Sequence, residues 1–218
     1  MRRTILIACW SVLLLALPAR AENTEHLAID RKEIKVWTVE VPGQPMRGFR
    51  AVTTVRSSLG GLVALLMDAE AAPRWVYRME QMRLVGVDAR AGIFVVYAEM
   101  DFWPLRNRDT VVTGRIAQDP QSLAVTLESR NIELEALPPV AGKLRMPAMW
   151  GRWDFRPLGN GLVEVTMSGQ ADPGGSIPAF LVNLMIEDTP YKTLQGLRRV
   201  IGESRYQQAR IEGIREPR

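Results

Sequence analysis

Few side chains in this 218-residue chain are equipped to make or break bonds, and the best placed are arginine, carboxylate and tyrosine rather than histidine or cysteine. Arg108-Asp109 is the sharpest polar feature. Adjacent strand residues point to opposite faces, so one at most looks inward while the other anchors a turn or an ion pair. Tyr97, Glu99 and Asp101 recur at intervals of two and share a strand face. There they either reach inward to a polar group or sit on a solvated edge. Glu133 and Glu135 resemble an acid–base pair only in type, being two apart in a polar segment with no aromatic sugar platform nearby. His26 and Cys9 are the single histidine and cysteine. A Ser-His-Asp triad or a multi-histidine zinc site would have to recruit that one ring, and a lone thiol makes no thiolate metal site. The sequence therefore assigns no catalytic residue, metal or cofactor.

The first twenty-one residues read as an address. Arg2 and Arg3 precede an apolar run from Ile5 to Leu17, and Pro18-Ala19-Arg20-Ala21 supplies small residues of A-x-A type for cleavage. The run is shorter than the roughly 20 residues of a transmembrane helix. Trp10 to Leu17 continue it past Cys9, which argues against a lipidated cysteine. Cleavage after Ala21 predicts one domain over 22–218, periplasmic or secreted, without thiols and held by its core. The formal charge is +4, but three arginines belong to the leader, so the remainder is close to neutral. A nucleic-acid partner is not expected.

The elements that must position these groups can be read from periodicity. Ile34, Val36 and Thr38 alternate with Lys35, Trp37 and Val39, Pro42-Gly43 to Gly48 reads as a turn, and Phe49 to Val55 as the returning strand. Ser57 or Ser58 caps a helix with Leu59, Leu62, Val63, Leu65 and Leu66 on it, and Pro73 ends or reorients it. Six antiparallel strands are predicted next, near 82–88, 92–102, 109–118, 123–131, 143–156 and 162–171. Ile177 to about Arg210 reads as helix with Pro190 as a kink. Its first half is apolar nearly all round, which suits a helix buried on both sides or facing a cavity as well as a wall.

Three stretches carry a resemblance to a known family: Asp68 to Trp75, where the first main helix ends and a tryptophan follows; Trp103-Pro104-Leu105-Arg106-Asn107-Arg108-Asp109, a turn into a strand; and Gly151-Arg152-Trp153 through Asp172-Pro173-Gly174-Gly175 to Asn183. From Ile34 to Arg205 the chain resembles a START domain, the steroidogenic-acute-regulatory-related lipid-transfer fold. Phe180 departs from the tryptophan frequent there. The resemblance implies an α+β helix-grip fold, a curved antiparallel sheet wrapped around a long C-terminal helix with an apolar tunnel. It implies a single lipid or sterol-like ligand, carried or transferred, and no metal in the site. Two alternatives stay open: an enzyme on a hydrophobic substrate, since related helix-grip proteins include cyclases and aromatases, and a ligand-dependent sensor.

The residues expected to meet that ligand are Trp75, Tyr97, Glu99, Arg108, Trp153, Phe180 and Leu184. Trp75 and Trp153 either line the tunnel or fill the core. Phe180 and Leu184, four apart, share a helix face assigned to the tunnel. Arg108 is expected at the tunnel wall or bracing the turn that shapes it, and Gly174-Gly175 and Pro190 are the expected hinges of a helical gate. Arg198, Arg199, Arg205, Arg210 and Arg215 alternate with Glu203, Glu212 and Glu216. They read as a solvated helix face, with transient docking on a membrane surface as the lesser alternative.

Overall fold

A computed structural model describes residues 24–40, 46–177 and 179–217, and at 179–181, 183 and 184 the description is of the helical backbone. The expected leader with Cys9, the Pro42-Gly43 part of the first turn, and Pro178 lie outside the described residues.

The strands are β1 (Thr24–Arg31), β2 (Ile34–Glu40), β3 (Gly48–Arg56), β4 (Met79–Asp88), β5 (Ile93–Met100), β6 (Arg108–Gln118), β7 (Val125–Asn131), β8 (Leu144–Arg145), β9 (Ala148–Gly159) and β10 (Leu162–Asp172). The helices are α1 (Leu59–Met67), α2 (Ala72–Trp75), α3 (Ala179–Val200) and α4 (Ser204–Gln207). The strands form one curved sheet in the order β1-β2-β3-β10-β9-β7-β6-β5-β4, antiparallel throughout except that β8 runs parallel to β6. α3 lies across the inner face, against β2 and β3. The expected α+β helix-grip arrangement is the one the chain adopts.

Strand alternation selects that inner face. Val36, Ala51, Met167, Trp153, Leu127 and Ile116 pair in register across β2, β3, β10, β9, β7 and β6 and all belong to the core or pack on it. Leu194 and Leu197 of α3 press on this floor without solvent exposure, and each such side chain contributes about 1.5–3 kcal/mol by leaving water. α1 starts where Ser58 Oγ accepts from the Gly61 N–H at 3.0 Å. The Glu216 carboxylate accepts from Leu59 N and Gly60 N at 2.9 and 2.8 Å, so two further free amides of the first turn are satisfied from the far end of the chain.

Three boundaries differ from the sequence reading. β1 precedes the first expected strand; it is an edge strand, exposed along nearly all its length, and so has no buried face to give it an apolar period. The expected strand 143–156 is two strands, because Pro147 has no N–H to continue a ladder and the chain changes partner there from β6 to β7. The last helix stops at Val200 rather than near Arg210, and the short α4 follows after Gly202.

Candidate functional site

Before Pro190, α3 stands off the sheet. Val182, Met185, Ile186 and Thr189 face Phe49, Met100, Met146 and Ala171 across a partly open chamber of about 130 Å³. A neighbouring chamber of about 160 Å³ is bounded by Trp103, Pro104, Leu105, Ile177 and Asp188. Tyr77, Arg78, Phe102 and Met185 border both, so they form the partition between an inner room and a vestibule. The vestibule ends at the 102–107 turn, whose tip residue Trp103 is 76% exposed. A larger groove, about 500 Å³, lies on the outer face of the sheet among Arg115, Glu128, Arg130, Trp150 and Arg152. Arg152 there is paired with Glu128 on the neighbouring strand and with Asp154 on its own, which marks a charged surface rather than a room for an apolar molecule.

The turn from β10 into α3 is tied down beside the inner room, which Pro173 lines. Asp172 Oδ1 accepts from the Gly174 N–H at 2.8 Å. Gly174 and Gly175 have φ of +65° and +72°, a backbone that a side chain disfavours, and Leu144 and Pro147 pack against them. Arg108 ties this turn to the 102–107 turn. Its Nε donates to the Pro173 carbonyl at 3.0 Å, Nη2 to that of Gly174 at 3.1 Å, and Nη1 to that of Arg106. Its guanidinium carbon lies 4.4 Å from the centre of the Phe102 ring. Burial, with a smaller contribution from Arg106, lowers its pKa. Arg78 holds the other side of the same turn, donating at 3.3 Å to the carbonyls of Asp101 and Trp103.

The chain brings only part of the expected set to this place. Arg108 braces the turn, as one of the two expected placements had it, and Asp109 faces the other way and pairs with Arg145 at 2.9 Å. Trp75 and Trp153 stand edge to face, 6.0 Å between ring centres, in the filled core beneath the second half of α3 and not around the inner room. Trp75 Nε1 has no hydrogen-bond partner among the described residues. The side chains of Phe180 and Leu184 lie outside the described residues.

Tyr97 and Glu99 correct the sequence reading. Phe94, Val96, Ala98 and Met100 take the inner face of β5, so the alternation sends Tyr97 and Glu99 outward, under the 132–147 segment. Tyr97 donates to Glu99 at 2.6 Å, and Lys143 forms an ion pair with Glu99. Burial and then the Glu99 bond push the Tyr97 hydroxyl well above its ordinary range. Burial pulls Glu99 upward, but the bonds from Lys143, Tyr97 and Gln81 together outweigh it and leave the carboxyl below its ordinary range. These residues still bear on the chamber. Lys143 and Arg145 are gripped from the outer face, while Leu144 and Met146, on the alternate positions, pack on the Gly174-Gly175 turn and line the inner room.

Sequence reasoning missed Phe49, Tyr77, Arg78 and Phe102. One signal in it pointed there, the position of Phe102 beside the Trp103-Pro104 turn. Among the described residues there is no cluster of three or more His, Cys, Asp or Glu able to hold a metal ion, and no helix is long and apolar enough to cross a membrane.

Comparison with known proteins agrees with this geometry. A model of the START domain matches residues 21–206. An uncharacterized protein of Pseudomonas aeruginosa is 31% identical over 202 residues, which cover 91% of this chain and 95% of that one. The crystal structure of a STAR-related lipid transfer protein fragment from Xanthomonas axonopodis superposes with a TM-score of 0.75 at 30% identity, over 82% of this chain and 99% of that one. Human StAR-related lipid transfer protein 5 shares the fold at 13% identity, with a TM-score of 0.72 over 84% and 88% of the two chains. By the extent of the family match and of both bacterial relatives, the chain belongs to the START domain family.

Proposed function

We propose that this protein binds one hydrophobic molecule between the first half of α3 and the sheet, and carries it outside the cytoplasm. The observation that carries the reading is the largely apolar room lined by Phe49, Met100, Met146, Val182, Met185 and Ile186. Apolar walls with a few polar groups at the rim suit a ligand held by its hydrocarbon. The room is smaller than the roughly 300–1,000 Å³ usual for a ligand of drug size. Occupancy by a whole lipid therefore requires the partition side chains to swing aside and join the room to the vestibule. The exposed Trp103 at the vestibule mouth suits contact with a membrane interface, where an indole keeps its apolar body in lipid and its N–H in water. Export rests on the leader, Arg2 to Ala21.

Incubation with a mixed lipid extract, repurification and mass spectrometry of the retained molecule test the binding step. A discrete amphiphile at one per chain is expected, and clean apoprotein from several extracts would refute it. Trp103→Ala is expected to slow transfer between vesicles while leaving the amount of lipid bound unchanged. N-terminal sequencing of the protein recovered from cells is expected to begin at Glu22, and retained Met1 would remove the export reading.

A further inference from the structure

We propose that the molecule carried is an anionic amphiphile, with a carboxylate or phosphate monoester held at Arg78 and Tyr77 and its hydrocarbon in the room behind them. This rests on the reading that the room carries an amphiphile, and adds the chemistry of its head group.

The charges around the room are one-sided. Arg47 and Arg78 line it, and no carboxylate does so among the described residues. Glu40 answers Arg47 at the outer rim, at 2.8 Å, where both side chains are about half exposed. Arg78 is less well answered. Its one carboxylate neighbour among the described residues, Asp101, is 3.9 Å from Nη1, and that same nitrogen makes both of its bonds to carbonyls. Its Nε and Nη2 have no hydrogen bond to protein among the described residues. A guanidinium edge with two parallel donors fits a carboxylate or phosphate, and a cation at an apolar wall gains most from an anion that arrives with its own hydrocarbon.

The neighbours of Arg78 strengthen the field. Lys192 Nζ donates to the Tyr77 hydroxyl at 3.2 Å, and its own counter-charge, Asp188, sits on the vestibule side at 2.7 Å. Arg78 and, against the opposing pull of burial, Lys192 draw the Tyr77 hydroxyl below its ordinary range. Behind Phe102 lies Arg108, 3% exposed and bonded to carbonyls alone. Arg78 also keeps its long side chain on a backbone with φ of +59°, a conformation uncommon outside glycine and asparagine. An anion at the partition would therefore meet the Arg78 fork and the Tyr77 hydroxyl with positive charge behind both.

Calorimetric titration of the purified full chain with decanoate, decyl phosphate and decan-1-ol separates the head group from the tail. Decanoate or decyl phosphate is expected to bind about tenfold more tightly than decan-1-ol, or better, the size of one charge-assisted contact. The more tightly bound of the two identifies the head as carboxylate or phosphate. Arg78→Gln is expected to remove that preference while decan-1-ol keeps its affinity, and Arg78→Lys to restore part of it. Equal binding of decanoate, decyl phosphate and decan-1-ol by the unaltered protein would overturn the anionic head group and leave the room as a carrier site. Arg78→Gln weakening all three alike would likewise overturn it, by making Arg78 a wall of the room rather than a head-group contact. Binding of none of the three would remove the carrier reading, and this one with it.

Discussion

From Tyr191 onward, α3 is packed as tightly as any part of the protein. Tyr191, Leu194, Leu197 and Val200 are buried, and a Cβ added to Gly196 would come within 2.1 Å of the Trp75 carbonyl oxygen. Before Pro190 the same helix presents Val182, Met185, Ile186 and Thr189, all half-buried, to a room that no described side chain fills. The two halves face different floors. Trp75, Trp153 and Phe155 rise to meet the second half, in edge-to-face and tilted pairs. Opposite the first half the sheet offers Met100, Met146 and Ala171. The first half is the more apolar of the two in sequence, yet its described side chains before Pro190 are the less buried. An apolar helix face thus records what it can lie against, and the opposing side chains decide whether that is core or ligand.

The sharpest way to break this contrast is to truncate each half. Leu194→Ala is expected to lower the stability measured by denaturant unfolding by about 2–5 kcal/mol, since its cavity opens in a close-packed site. Ile186→Ala, beside existing space, is expected to lower it by about 1 kcal/mol. Equal losses would erase the distinction. Adding a methyl sharpens it from the other side. Gly196→Ala is expected to be destabilising by about 3 kcal/mol, because the obstacle is the Trp75 backbone and cannot rotate away. A neutral effect on the melting temperature would show that α3 is free to shift there.

Arg108→Leu probes the turn that feeds the open half. The partners of its guanidinium are three carbonyls, so the expected loss of stability is about 2 kcal/mol, the scale of hydrogen bonds to a charged group. Ligand is expected to exchange faster as the turn loosens, and an unchanged exchange rate would detach Arg108 from the room. The smallest effect is acid dependence through the outer cluster. The Glu99 carboxyl titrates lower in the folded protein than in the unfolded chain, so its contribution is present above the ordinary glutamate range and fades as the pH falls through its folded pKa. Melting followed between about pH 3 and 7 is therefore expected to fall less steeply on the acid side for Glu99→Gln than for the unaltered protein. Parallel curves would mean that Glu99 does not titrate with folding.

Periodicity was enough to place β2, β3, β5, β6, β7 and β10 to within a few residues, and Pro190 inside the last helix, because each of those segments has one buried side. β1 was illegible for the converse reason. The site was harder. Alternation on β5 divides Phe94, Val96, Ala98 and Met100 from Tyr97 and Glu99, but both sets can be buried, since the 132–147 segment covers the outer one. Parity gives two faces without saying which belongs to the room. Arg78 left no periodic trace, lying in a turn with a left-handed backbone between α2 and β4. The family resemblance indicated a room under the last helix, and the individual side chains around it depended on rotamers that no pattern carries.

The central claim, that the room under the first half of α3 holds the ligand, is tested most directly by filling it. Met185 borders both chambers and is half-buried, so Met185→Trp adds an indole to the space with little strain on the core. Val87→Trp makes the comparable addition on the exposed edge strand β4, where Val87 is 52% exposed. After exposure to the same lipid extract, native mass spectrometry of the three proteins reads the ligand held per chain. Met185→Trp is predicted to lose most of it with its melting temperature preserved, and Val87→Trp to match the unaltered protein. Full ligand retention by Met185→Trp would place the ligand somewhere else on the molecule.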